Sequence, residues 1–586
     1  MARDNGGAVV DDNGGESAGT ALRRLRGPRG LDVAVAVAEA EGVCGHPVVL
    51  RRTNLDTGES RLVGIACGSR RGSVCGPCAM RNKRLRETQL AEGWHLNEEP
   101  DIGPREPDEG AQSVMAFRAD LLGMGLEAKA SGNLEELEEI RADLADVDRQ
   151  LREDHDVRGK LPGLDDEDQD ETKPRRVRST RRRQDAPDLP RKPVQNRTIG
   201  REYAGKYRPS MMVTTTLDSY GAVHSAYVRD GRVQRCACGK THKQDAAFLG
   251  TPVDPKAYDY RRHARDAVHF AAQMDRFFQN LRRAVGWKVQ YFAAIESQRR
   301  LAPHAHIALR GSIPRDVIKQ VAAATYHQVW WPEHGDPVYG GRRVPVWVPE
   351  RSAWCDPDTR EPLRSFEDAL PGEDDDPAHV VRFGNQVDIR GVLGGTEEAN
   401  RHIKYLTKYV TKSVGETYAD ASEAHRQHAD WLLAELAVTP CSPRCPVWLL
   451  HGIQPQGAHS RMNPGQCKGN AHKRETLGVA GRRVLVSRAW TGKRLSDHQT
   501  DRQEHVRGVL NAAGLPVVAT DAEQKARVAW EPVSPTDPDA PSRALLILQA
   551  VAERRRWKAQ YQQAQTLLAG PRAAPGGRAG DGGGPA

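Results

Sequence analysis

No apolar run in this 586-residue chain approaches the roughly 20 residues needed to span a bilayer, so no membrane partner is expected. The first sixteen residues are rich in Gly and Asp and carry no signal-peptide core, which points to the cytoplasm. No Gly-x4-Gly-Lys-Ser/Thr loop is present. Without that phosphate cradle, the chain is not expected to unwind DNA with an ATPase of its own. Nothing suggests Ser/His/Asp hydrolysis, a dinucleotide site or a solenoid repeat. Hydrophobic residues are few, 38% against 28% charged, so part of the chain should lie outside any packed core.

What is present is charge, unevenly spread. Lys and Arg number 86 and Asp and Glu 78, a surplus of +8. Basic runs at 81–86 and 173–178 contrast with acidic runs at 165–168 and 373–376. Clustered positive charge suits a polyanion, and equally a solvated surface. Ten cysteines in a cytoplasmic chain read as metal ligands rather than disulfides.

Composition divides the chain. Residues 1–30 read as a disordered N-terminus, 31–100 as a zinc-binding unit and 101–159 as a helical segment. Residues 160–198 read as a charged linker and 199–425 as a compact domain. Residues 426–530 form a Cys/His-rich basic unit, and 531–586 a helix with a flexible tail. Within 199–425, strands are expected at 211–217, 288–296, 304–310 and 380–389. Helices are expected at 258–286, 314–330 and 400–415.

The segment Pro303-His304-Ala305-His306-Ile307-Ala308-Leu309-Arg310 alternates. In a strand, His304 and His306 share one face, while Ile307 and Leu309 turn toward a core. If 288–296 pairs with it as a hairpin, Glu296 approaches the histidines. Two imidazoles and one carboxylate suit Mg²⁺ or Mn²⁺ with open positions for a phosphate oxygen. The bland alternative is two half-exposed histidines on a sheet.

In a helix over 400–415, Ile403, Leu406, Val410 and Val414 make an apolar stripe. Tyr405 and Tyr409 project away from it, beside a row of Lys404, Lys408 and Lys412. Ammonium groups there would stabilise a phenolate and hold a phosphate, turning a weak nucleophile into an effective one. Two surface tyrosines among solvated lysines would give the same pattern.

Cys44, Cys67, Cys75 and Cys78 have spacing suited to structural Zn²⁺, with His46 as an alternative ligand. Cys441, Cys445, Cys467 and His472 suit a second zinc. Cys236, Cys238 and His242 form a third, incomplete group unless His224 or a distant residue joins it. Free buried cysteines are the competing explanation for each.

In this order, these segments resemble the HUH endonuclease superfamily, in particular its rolling-circle replication initiators. Residues 211–217 are similar to the Thr-rich first motif and His304-Ala305-His306 to the second. Tyr405-x-x-Lys408-Tyr409-x-x-Lys412 is similar to the third. Longer stretches at 275–283, 289–293, 325–332 and 481–488 resemble initiators of Streptomyces-type plasmids and integrative conjugative elements. The resemblance implies an α+β fold: an HUH endonuclease-like central antiparallel sheet with helices on one face, plus small zinc-binding units and disordered segments. It implies a metal-dependent single-strand endonuclease and strand transferase that nicks an origin and forms a 5′-phosphotyrosine. In the family the tyrosine after the lysine is usually the nucleophile, which favours Tyr409. Tyr405 matches either the second tyrosine of two-tyrosine members or a position that is acidic in some initiators. The implied partners are single-stranded and origin DNA, with a host helicase and polymerase. A relaxase or transposase would share the chemistry, and a zinc-containing DNA-binding regulator would lack it.

Overall fold

A computed structural model describes residues 28–55, 57–94, 96, 98–100, 109–153, 157, 161, 163–164, 188–190, 208–372, 374–408, 422–515, 528–534 and 540–569. The chain divides into two compact units, Met1–Glu99 with Ala186–Ala586, and Pro100–Asp185. It begins with α1 (Pro28–Ala40), β1 (Val48–Asn54), β2 (Ser60–Ile65) and α2 (Gly76–Trp94). The second unit holds α3 (Glu109–Ser131) and α4 (Leu134–Glu153). Then come β3 (Arg208–Leu217), β4 (Val228–Arg229), β5 (Arg232–Val233), α5 (Tyr260–Val285), β6 (Gln290–Ser297), β7 (Pro303–Arg310), α6 (Arg315–Ala324) and β8 (Tyr326–Val329). Short strands β9 (Val346–Val348), β10 (Ala353–Cys355) and β11 (Arg364–Ser365) precede β12 (His379–Gly394), α7 (Glu397–Lys408) and α8 (Glu423–Val438). The chain continues through β13 (Ile453–Gln454), β14 (Val484–Val486), α9 (Leu495–Ala512), β15 (Val528–Pro532) and α10 (Arg543–Ala569).

The fold is mixed α+β. Its centre is a six-stranded antiparallel sheet in the order β14-β6-β7-β3-β12-β8. One face buries Met211, Val213, Ala293, Ile295, Ile307 and Leu309 against α5, α6 and α8. Helix α5 is well punctuated. Asp259 accepts the Arg262 N–H at 2.9 Å, and Gly286 closes the helix at φ +80° with its N–H on Arg282 O.

The other face corrects the expectation of helices on one side only. Met212, Phe292, Ala294, Ala308 and Val392 make it apolar too, so it is covered by Leu90 and Trp94 of α2, Ile403 and Leu406 of α7, and Trp490. All eight residues of β7 are consequently buried. Arg310, at the end of the same face, is buried and donates to the carbonyls of Gly93, Ala489 and Trp490 at 2.7–2.8 Å.

The helix expected at 314–330 ends at Ala324. Thr325 turns extended, and Tyr326–Val329 leaves the helix to pair with β12. The outermost described segments meet: β15, β1 and β2 form one sheet, and α1 packs on α10 through Ala34, Ala38, Ile547 and Val551. In the second unit, α3 and α4 form a helical hairpin around Leu121, Leu137, Ile140 and Leu144, with Arg118 Nε donating to Asp148 at 2.6 Å. Residues 1–27 and nearly all of 160–198, read from sequence as disordered and linker, lie outside the described residues.

Candidate active site

Strand β7 sits between β3 and β6, and the register fixes what surrounds its histidines. Glu296 faces His304 across β6, while Thr214 faces His306 across β3. The two imidazole Nε2 atoms stand 2.9 Å apart. His304 Nδ1 lies 3.0 Å from the Glu296 carbonyl oxygen and donates to it, which leaves Nε2 as a bare lone pair. His306 Nδ1 lies 2.9 Å from Thr214 Oγ1. Glu296 Oε2 is 3.8 Å from His306 Nε2, and Glu296 Oε1 is buried with no hydrogen-bond partner.

The electrostatics follow from burial. Desolvation lifts the Glu296 carboxyl to about 8, against the pull of Arg483 and Lys408. Burial takes His304 down to about 4, and takes His306, with His304 beside it, to about 3. Near neutral pH both rings are therefore neutral and able to act as ligands. One ligand atom each from Glu296, His304 and His306 lies within 4.8 Å of the others. Converging lone pairs beside an orphaned carboxyl oxygen, whose proton a cation would displace, fit a divalent cation.

Helix α7 completes the site. Tyr405 Oη lies 3.0 Å from His306 Nε2, with its ring edge-on to the imidazole. Tyr405 is 41% exposed, whereas Ile403 and Leu406 are buried, so the tyrosine lies off the apolar stripe as the periodicity indicates. Lys404 and Lys408 are exposed on the same helix. Tyr409 and Lys412 lie outside the described residues. Sequence reasoning missed α2, which runs beside α7 where Thr407 donates to Glu87 at 3.1 Å. It also missed Trp490. Both reach the site from far along the chain, and no local pattern signals that. Thr214 was within reach: strand alternation puts it on the histidine face.

Nine of the ten cysteines gather into three groups, each with its four ligand atoms within 4.8 Å of one another, and Cys355 stands apart. In the first, Cys44–Cys75 and Cys67–Cys78 sulfurs are 3.8 Å apart, too far for disulfides. His46 is not a member; its ring meets Arg543. In the second, the Cys441 and Cys467 sulfurs are 3.8 Å apart and Cys445 Sγ lies 3.5 Å from His472 Nε2. His472 Nδ1 donates to Leu436 O at 2.9 Å, which turns Nε2 toward the sulfurs. His224 joins Cys236, Cys238 and His242 in the third.

No helix among the described residues is long and apolar enough to cross a membrane. No solved structure matches the chain. A replication initiator protein of Streptomyces ambofaciens is 26% identical over 242 residues, covering 36% of this chain and 43% of that relative. The chain thus matches less than half the length of that curated relative. The model of one family, described as the replication initiator protein of pSAM2, matches residues 30–553. That span takes in the histidine strand, the tyrosine helix and all three cysteine groups, and the chain belongs to the RepSA family of replication initiator proteins.

Proposed function

We propose that this protein initiates rolling-circle replication by nicking one strand at a plasmid or integrative-element origin. A tyrosine hydroxyl attacks the scissile phosphate, a 5′-phosphotyrosine forms, and the released 3′-hydroxyl is left to prime synthesis. The observation that carries this is the Tyr405 hydroxyl 3.0 Å from His306 Nε2, in a pocket shared with His304 and Glu296.

Glu296, His304 and His306 would hold Mg²⁺ or Mn²⁺. Such an ion supplies charge stabilisation at the scissile phosphate. The protein's own groups do the rest. The Glu296 carbonyl and Thr214 hydroxyl set the imidazole orientations. The Tyr405 hydroxyl stands 3.0 Å from His306 Nε2, whose single lone pair accepts that hydrogen bond until a cation would take it, leaving the tyrosine oxygen beside the histidine pair. Lys408, with Lys412 expected from sequence, favours phenolate and phosphate by charge. Tyr405 is the tyrosine seen at the histidines, and Tyr409, favoured by the motif, is its partner or replacement as nucleophile. The groups at Cys44/Cys67/Cys75/Cys78 and Cys441/Cys445/Cys467/His472 are structural Zn²⁺ sites that hold small lobes lacking a large core. A host helicase and polymerase would extend the nick, in the cytoplasm.

The test is a denaturation-resistant adduct with labelled single-stranded origin DNA and Mn²⁺ or Mg²⁺. Tyr405→Phe or Tyr409→Phe should abolish it, whichever residue attacks first. Adduct persisting in the double variant would sink the tyrosine mechanism, and no adduct from the parent protein would leave a DNA-binding regulator.

A further inference from the structure

We propose that His224, Cys236, Cys238 and His242 form a third zinc site. This centre of two thiolates and two imidazoles roots the β4–β5 hairpin and ties the segment between β3 and α5 to the active-site turn. The ligand atoms converge from three places in the chain and lie within 4.8 Å of one another. Cys236 Sγ is 3.8 Å from His224 Nδ1, and Cys238 Sγ is 3.1 Å from His242 Nε2. Tetrahedral zinc with ordinary bond lengths separates sulfur from nitrogen by about 3.5 Å.

The local structure has little else to hold it. Strands β4 and β5 are two residues each, too short to persist alone. Between His224 and Leu249, the only buried hydrophobic residues are Cys236 and Leu249 themselves. Polar detail instead serves the cluster. The Ser225 N–H points at Cys236 Sγ from 3.4 Å, as a donor to a thiolate would. The turn through the two cysteines closes with Cys236 N–H on Lys240 O and Gly239 N–H on Cys236 O, both at 2.8 Å. Gly239 supplies the required φ of +83°. Phe248 packs edge-on against both imidazoles, with centroids 5.1 and 4.9 Å away.

A short path leads from this cluster to the chemistry. His224 exchanges backbone hydrogen bonds with Gly250 and Thr251 at 2.7 and 2.8 Å. Gly250, at φ +92°, lies so close to Arg299 that an added Cβ would sit 2.6 Å from the Arg299 Cβ. Arg299 belongs to the turn between β6 and β7, three residues after Glu296 and five before His304. Zinc would take up two thiolates and release their protons on binding.

The experiment is zinc stoichiometry on the full chain. Cys238→Ser with His242→Ala should carry one zinc per chain fewer than the parent, the remaining zinc reporting that the rest is folded. Cobalt substitution should give a parent-minus-variant difference spectrum with thiolate charge-transfer and tetrahedral bands. Equal zinc in parent and variant, or a difference spectrum without thiolate bands, would overturn the proposal. Should the variant not fold, alkylation of the parent decides. Cys236 and Cys238 protected until a chelator is added support the site, and rapid alkylation without chelator refutes it. Adduct formation by the same preparation reports the Glu296/His304/His306 site separately. Loss of nicking with all zinc retained counts against that centre and leaves this one standing.

Discussion

Thr214→Val probes the proposed catalytic centre without touching a proposed ligand. The substitution keeps the β-branched shape that suits β3 and deletes the hydroxyl 2.9 Å from His306 Nδ1. His306 then loses the contact that fixes its ring, and its Nε2 no longer holds one direction beside His304 Nε2 and the Tyr405 hydroxyl. Losing such an outer partner of a metal-binding histidine weakens metal affinity by about 10- to 100-fold. That corresponds to about 1.4–2.8 kcal/mol. A second, separable cost comes from stranding a buried ring nitrogen, about 1–3 kcal/mol of stability. Mn²⁺ affinity would be measured by titration calorimetry well below the melting temperature, with adduct formation followed against Mn²⁺ concentration. Thr214→Ser should retain near-parental affinity, because it keeps the hydroxyl. Parental Mn²⁺ affinity in Thr214→Val would refute the idea that this contact organises a metal site.

Gly93→Ala should destabilise the fold by about 1–3 kcal/mol or more, since its Cβ would meet the fully buried Trp490 indole at 2.0 Å; an unchanged denaturation midpoint would contradict that close approach. Burial depresses His428 to about 4, and its neutral form bridges the Tyr260 hydroxyl and the Arg300 carbonyl. Its contribution is therefore complete above the unfolded value near 6.5 and is lost as pH falls toward 4, by up to about 3 kcal/mol. Denaturant titrations across that window should show a slope smaller by about one proton in His428→Asn, and an identical slope would remove His428 as a source. Cys78→Ser should lower zinc content by one per chain and speed amide exchange along α2; unchanged exchange would show that the cysteine group does not brace that helix.

The histidine strand was legible because a two-residue period leaves no choice of face: Ile307 and Leu309 need a core, so His304 and His306 turn the other way. Glu296 followed from counting back through a tight hairpin. The covering of the histidine face was not legible. Ala308 and Met212 look unremarkable one strand at a time, and only pairing β6, β7, β3 and β12 shows an apolar patch that α2 and Trp490 must cover. His224, twelve residues before the first cysteine of its group, could be offered from sequence but not chosen over a distant residue until the fold brought it there. At 314–330 the apolar period runs through Thr325, and a cross-sheet pairing with β12 overrides it. For the tyrosines, periodicity placed Tyr405 off the apolar stripe but could not rank it against Tyr409.

A sheet covered on both sides leaves its histidines buried between its two packed faces. His304, His306 and Glu296 are all buried, and the half-exposed Tyr405 stands beside them. On the proposed mechanism, a duplex is too stiff to bring one phosphate to such buried groups, whereas a lone strand can bend to do so. The proposed nicking would then require a melted origin. Torsion stored in circular DNA would supply that melting. A supercoiled origin plasmid should be nicked and its relaxed form spared, and equal cutting of both would show that duplex DNA reaches the buried groups without melting.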